Sequence, residues 1–424
     1  MLGATGTVAR VSFLRRMAST WRGRAILVGT VLVVVLLVSG LVSAVREAQD
    51  RDSAPSSEIS PVTDLLPSLA RRPVMRWTVP EGAGTRAPVG GDVERVLYSS
   101  AAEPGDGRLE VLRADTGEHL RTISLDGPAE GLTCLVRGAA AACGSEAGVA
   151  FVDLAAGAMT GRVATPGAVS GYPVGEGFLL WSAESAPALY RPDGSVKWRA
   201  QGTEFVASPG AAVVYVLDRG DGDGDDGVGR VLAADDGREL VQIAVKKGQP
   251  VRFQAYPGGF ALERPGQQIR FFDAGGEALP GAVSAEGGQR LAAAPGGGGP
   301  APPIPVILEK RRDGVTVVGV DPTQKRNLWK REVAQTDADA VRISGVGTQV
   351  VVDDGAGRCF AFAAASGDGG AIGCESVLGA DSERVATVGV AAWQPGAAQP
   401  LWTQELADAK AFGGGLYGAA GRLL

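Results

Sequence analysis

A Gly-Arg pair opens a short apolar run at four places along this chain: 107-GRLEVLRADTGEHL-120, 229-GRVLAADDGREL-240, 357-GRCFAFAAASGDG-369 and 421-GRLL-424. Arg108, Arg230 and Arg358 stand 122 and 128 residues apart. Each gap is close to three units of about 41–43 residues. Runs of the same kind begin near 148, 187, 267 and 314, and others include ERVLYSS (94–100), GFLLWSA (177–183), AVVYVLD (212–218) and TQVVVDD (348–354). β-branched and aromatic residues dominate them, and Gly, Asp and Pro separate them, which is strand-and-turn chemistry. Beyond residue 73 no long stretch has helical periodicity, and the 63 glycines fit many short strands better than a few long helices.

A period near 40 residues built from short strands is that of a four-stranded antiparallel blade. One blade cannot bury both of its faces, so blades stack around an axis. Residues 73–424 are therefore expected to form an all-β propeller. Within a unit, a strand ending in an Asp/Gly turn leads to an outer strand carrying Trp. Asp321 with Trp329 and Gly194 with Trp198 fall there, and Trp77 and Trp402 stand in equivalent places. Such a Trp is expected to pack between neighbouring blades, where its area contributes a few kcal/mol. The segment 73-PVMRWTV-79 reads as an orphan outer strand that completes the blade ending at Leu424, leaving the ring no free edge. Counting third strands gives eight blades. The 64 residues from Arg358 to Arg422 then form one blade with an insertion, 400-PLWTQEL-406 being its outer strand, and seven blades is the alternative count.

Ahead of this body, residues 25–45, AILVGTVLVVVLLVSGLVSAV, form an uncharged run of 21 residues. As a helix it would span roughly 30 Å, one hydrocarbon core. Arg10, Arg15, Arg16, Arg22 and Arg24 precede it with no acid among them. The positive-inside rule places residues 1–24 in the cytoplasm as a basic tail and the body outside, on a single-pass signal-anchor in the cell membrane. A cleaved signal peptide is the competing reading, with Val42-Ser43-Ala44 as the small-residue site, but the apolar run exceeds a signal core. Residues 46–72, with Pro55, Pro61 and Pro67, read as an extracytoplasmic linker in which Leu65, Leu66 and Leu69 could make a short helical turn. The net charge of −6 becomes −11 once the tail is set aside, and an acidic body excludes nucleic acid as the partner.

The unit D-x-x-T-G-x-x-x-W resembles the repeat of PQQ-binding-like, or quinoprotein-like, β-propellers. Asp321, Thr323 and Trp329 match one copy, with Lys325 in place of glycine. Thr116-Gly117-Glu118 matches another, with Arg121 where Trp is expected, and Asp153 with Gly157 and Gly194 with Trp198 match parts of others. The resemblance implies the propeller fold and leaves function open among quinone-dependent dehydrogenases, assembly scaffolds and sensor ectodomains. The family's alcohol dehydrogenases use adjacent cysteines, a metal-binding carboxylate site and a catalytic Asp. No adjacent Cys pair occurs here, so PQQ is not expected as a cofactor.

Four cysteines fall in two local pairs, Cys134 with Cys143 and Cys359 with Cys374, each spanning neighbouring strands of one blade. In an exported domain this predicts two disulfides, each worth about 2–3 kcal/mol in the chain-entropy model. A metal site is the rival reading, but the spacings are wrong and no histidine is near. In 218-DRGDGDGDDG-227, Asp221, Asp223 and Asp225 present alternating carboxylates, the hard-oxygen chemistry of Ca²⁺, and calcium is the candidate ion. Against it, the glycine is one residue late and Leu232 stands where a calcium loop has Glu; a solvated turn is the simpler reading. His119, the only histidine, is expected to be exposed at the start of an outer strand, and no G-x-S-x-G elbow accompanies it. The run 295-PGGGGPAPPIP-305 reads as a long exposed loop.

With no catalytic residue and no further cofactor identified, the expected role is non-catalytic: a membrane-anchored propeller that binds an envelope protein or cell-surface ligand as a scaffold. A calcium- or quinone-dependent oxidoreductase and a sensor ectodomain are the alternatives.

Overall fold

The computed structural model describes residues 66, 68–72 and 74–78, and 87–422 apart from short segments, the longest of which are 102–106, 220–225, 247–250, 284–287, 293–299 and 405–409. The basic tail and the apolar run 25–45 lie outside the described residues, and no helix among the described residues is long and apolar enough to cross a membrane.

The described residues form nine four-stranded antiparallel sheets. Eight contain four consecutive strands each: sheet 1 (87–124), sheet 2 (133–163), sheet 3 (169–199), sheet 4 (204–245), sheet 5 (252–283), sheet 6 (289–333), sheet 7 (342–372) and sheet 8 (377–403). Sheet 9 is composite. Lys410–Phe412, Gly415–Gly418 and Gly421–Arg422 supply three strands, and Trp77–Thr78 adds the outer one, with Trp77 opposite Arg422 and Thr78 opposite Gly421. The orphan strand around Trp77 therefore closes the last blade, as its sequence position implied.

Sheets follow one another around a ring. First strands of neighbouring sheets touch at most boundaries, and Ala87–Gly91 of sheet 1 contacts Lys410–Phe412 of sheet 9. The architecture is a β-propeller. The eight expected sheets are present, and a ninth arises within the 64 residues after Arg358. That interval is not one blade with an insertion: it holds all of sheet 8 and three strands of sheet 9. The third strand that escapes the count is Ala391–Trp393, only three residues long.

The core is distributed as wedges between sheets. One cluster joins sheets 1 and 2 around Leu97, Leu109 and Val152; another joins sheets 6 and 7 around Val317, Trp329 and Phe362; a third joins sheets 9 and 1 around Trp77, Tyr98 and Tyr417. The two inner strands are covered on both faces, so Gly177–Ser182, a second strand, and Val315–Asp321, a third, are nearly continuous buried runs. Outer strands have one open face and alternate, as in Ala158–Val163.

The Trp of the repeat has a defined task at the joints. Trp77, Trp198 and Trp329 each reach into the following sheet, where Nε1 donates to the carbonyl of Ala114 (3.0 Å), Ala234 (3.2 Å) and Ala364 (2.8 Å). Three residues beyond each alanine, the indole lies on a glycine of the next turn: Gly117 (φ 72°), Gly237 (φ 75°) and Gly367 (φ 69°). A Cβ on Gly367 would sit 2.5 Å from Trp329 Cγ, so both the left-handed backbone and the close approach require glycine. Arg121 takes the Trp position against Gly157, and Leu240 takes it against Gly276. At three other joints the position is glycine: Gly161 abuts Asp193, Gly281 abuts Pro322 and Gly370 abuts Gly396.

Trp402 completes the series in a different way. Its Nε1 donates to the Leu69 carbonyl (2.8 Å). At this joint the segment Leu66–Arg72 takes the place that the turn before the outer strand holds elsewhere. Leu66 N–H donates to Ala380 O (2.8 Å), Leu69 N–H donates to Asp381 Oδ2 (2.6 Å), and both leucines are buried.

The run 295–305 departs from its sequence reading. Residues 293–299 lie outside the described residues, but Ala301, Pro302 and Pro305 are buried rather than exposed. Ala301 N–H donates to Pro209 O of sheet 4 (2.9 Å), and Gly345 N–H of sheet 7 donates to Pro300 O (3.0 Å). Buried Gln254 fixes the roots of this crossing: Oε1 accepts from Val306 N–H (2.7 Å) and Nε2 donates to Ala292 O (3.2 Å). Proline removes the N–H groups that burial would leave unpaired, which suits this composition to an interior strap.

Asp354, at the bend between Gln349–Asp353 and Cys359–Ala363, is fully buried. Burial alone would raise its pKa. Bonds from the N–H groups of Ala356 (2.8 Å) and Arg358 (3.0 Å) and from the Arg358 guanidinium (2.6 Å) outweigh burial and hold the carboxyl below its ordinary value. A depressed native value stabilises the fold above the unfolded pKa of about 3.9 and loses that stabilisation as pH falls through the native value. Asp354→Asn should therefore cost ~1–2 kcal/mol at neutral pH, discounted because Arg358 is half-exposed. The gap from wild type should close below about pH 4. Urea midpoints measured from neutral to acid pH test this, and a gap independent of pH would contradict it.

Candidate functional site

In an antiparallel blade the turns after the first and third strands lie on one face of the ring. The Asp turns gather there, and their carboxylates serve the backbone. Asp153 Oδ1 accepts from Ala155 and Ala156 N–H (2.8 Å each), Asp273 Oδ1 from Gly275 (2.9 Å) and Glu277 (2.8 Å), and Asp321 Oδ1 from Thr323 (2.9 Å) and Gln324 (3.1 Å). These Asx turns explain why Asp precedes the outer strand so regularly. The Thr323 hydroxyl, bonded to Asp321 Oδ1 at 2.6 Å, is foremost in holding that carboxyl below its usual range.

On this face, between sheets 2 and 3, lies a cleft of about 730 Å³. Two bridges bound it. Near the axis, Arg137 Nε donates to Gly175 O (3.0 Å), repeating the bond from Arg95 Nη1 to Gly138 O (2.7 Å) one joint earlier. Toward the rim, Thr160 Oγ1 donates to Pro192 O (2.9 Å). Beside Thr160 stands Gly161, which like Gly281 and Gly370 replaces the Trp, Arg or Leu of the remaining joints, so no large side chain fills the joint from the outer strand. Val152, Ala139, Ala140 and Pro192 give the cleft an apolar lining, and Asp153, Glu176 and Asp193 stand around it. Bonds from the Ser195 hydroxyl and N–H, the latter at 2.8 Å, hold the Asp193 carboxyl below its ordinary value.

The residues singled out from sequence are dispersed. Asp221, Asp223 and Asp225 lie outside the described residues, and no cluster of metal-ligating side chains occurs among the described residues. Disulfides join Cys134 to Cys143, directly opposite on adjacent strands, and Cys359 to Cys374. His119 is exposed and its Nε2 lies 2.9 Å from the Thr122 hydroxyl. Trp77, Trp198, Trp329 and Trp402 stand at joints, and Asp321 stands at a turn. None of these lines the cleft. Arg137, Thr160, Glu176 and Asp193 carry no motif; the trace they leave is Gly161 at the register of an outer-strand Trp.

No family model matches the chain, and no curated relative matches it either. Among solved structures it is similar to BamB from Moraxella catarrhalis, at 12% identity and a TM-score of 0.37 over 71% of this chain and 92% of that one. It is also similar to the computationally designed Ika8 protein, at 12% identity and a TM-score of 0.33 over 69% of this chain and 98% of that one. At this level the likeness concerns the fold alone.

Proposed function

We propose that this protein is a membrane-anchored, extracytoplasmic scaffold whose propeller binds another protein of the cell envelope and performs no chemistry of its own. The observation that carries this reading is the cleft between sheets 2 and 3: an amphipathic recess in a closed ring, bordered by three carboxylates, of which Asp153 and Asp193 are already bonded to backbone. A ring with wedge-shaped cores at its joints holds such a recess rigidly, and preorganisation lowers the cost of binding. The charge of the body and the apolar run 25–45 support the placement outside the membrane, with the basic tail inside.

Photo-crosslinking from several faces of the full-length protein in its native membrane, followed by mass spectrometry, tests the reading. The expected result is a reproducible protein partner. Crosslinking to no protein from any face would refute it. Added PQQ or calcium is expected to leave the absorption spectrum and melting temperature of the purified protein unchanged. A bound chromophore with turnover of an alcohol would instead make it an oxidoreductase.

A further inference from the structure

We propose that the cleft between sheets 2 and 3 seats an extended, cationic segment of a protein partner. This rests on the scaffold reading and adds the place and chemistry of the contact. The volume, about 730 Å³, is that of a recess for a few side chains rather than a whole folded surface. Two of its walls are glycine: a Cβ on Gly138 or Gly175 would meet nothing within 4 Å, so both turns border open space. A peptide backbone can approach such walls closely.

The charge at the opening selects the sign of the guest. Asp153, Glu176 and Asp193 stand there against two guanidiniums: that of Arg137, which already donates to Gly175 O, and that of Arg191, whose charge acts on Asp193. The bonds to Ala155 and Ala156 fix Asp153, and the bond from Ser195 fixes Asp193, so two of the three carboxylates are positioned before a partner arrives. Phosphate, sulfate and acidic polymers are repelled by this arrangement. The lining contains no aromatic side chain, which removes the usual platform for stacking a flat or ring-shaped ligand. What remains complementary is Lys or Arg beside a small apolar side chain, held along an extended backbone.

The probes are two fluorescein-labelled peptides, one alternating arginine with leucine and the other alternating glutamate with leucine, titrated against the detergent-solubilised full-length protein. The arginine peptide should bind and the glutamate peptide should not. Glu176 is exposed at a turn and makes no side-chain bond among the described residues, so Glu176→Lys should keep the melting temperature while weakening the arginine peptide about tenfold. A photo-crosslinker at Thr160 should capture the arginine peptide. Equal binding of both peptides, or an unchanged affinity in Glu176→Lys, would overturn the proposal. In native membranes, protein crosslinks from other faces with none from Thr160 would overturn the cleft assignment while leaving the scaffold reading intact. Crosslinks from no face would overturn both.

Discussion

Trp329→Ala should lower the unfolding free energy by about 3–5 kcal/mol, among the largest effects of any single truncation in this ring. Trp329 is 5% exposed and belongs to the cluster that joins sheets 6 and 7. Its removal leaves a cavity between two sheets, strips Ala364 O of a 2.8 Å bond, and uncovers Gly367. Gly367→Val should be similarly damaging from the opposite side, because the new Cβ meets the indole and φ is 69°. Trp198 makes the same contact but is only partly buried, so Trp198→Ala should cost less. Urea unfolding followed by tryptophan fluorescence and circular dichroism measures the order. A cost below ~1 kcal/mol for Trp329→Ala would mean that the indole is not what clamps neighbouring blades.

The second large effect is expected at Asp381. This carboxylate is 5% exposed and accepts from the N–H groups of Leu69 (2.6 Å), Glu383 (2.8 Å) and Arg384 (2.6 Å), while Arg384 Nη1 lies 3.4 Å from Oδ2. Asp381→Ala frees three donors and leaves the Arg384 guanidinium, whose Nε is already buried without a partner, only its ion pair with exposed Glu383 (3.1 Å). Losing one member of a buried, bonded pair costs about 3–5 kcal/mol. Because one of the donors is Leu69, the variant should also release the segment before the closing strand. Limited trypsin digestion should then cut after Arg71 much faster than in wild type, with the body still folded at low temperature. Unchanged cleavage would show that Leu66–Arg72 is held by other contacts.

The propeller was legible because strand chemistry and the turn motif recur with the blade. Asp321 and Trp329 reveal the unit, and Trp77 reveals the missing outer strand. The ninth sheet was hidden for a physical reason. Ala391–Trp393 is three residues long and is followed by 394-QPG-396 in place of an Asp turn, so its apolar run is too short to register as a strand. The strap at 300–305 was hidden by composition, since Gly and Pro signal an absence of regular structure and not exposure. What holds it is Gln254, one polar residue inside the apolar run 252-RFQAY-256. The cleft was least legible of all. Arg137, Thr160, Glu176 and Asp193 come from four separate segments, and only the ring brings them together.

The chain enters the ring at Leu66 and contributes its closing strand only at Trp77. A pull on the residues preceding Leu66 therefore reaches the bond to Ala380 and the Leu69 bond to Asp381 before it reaches the pairing of Trp77 with Arg422. The bonds to Ala380 and Asp381 in sheet 8 thus stand between such a pull and the closing strand of sheet 9.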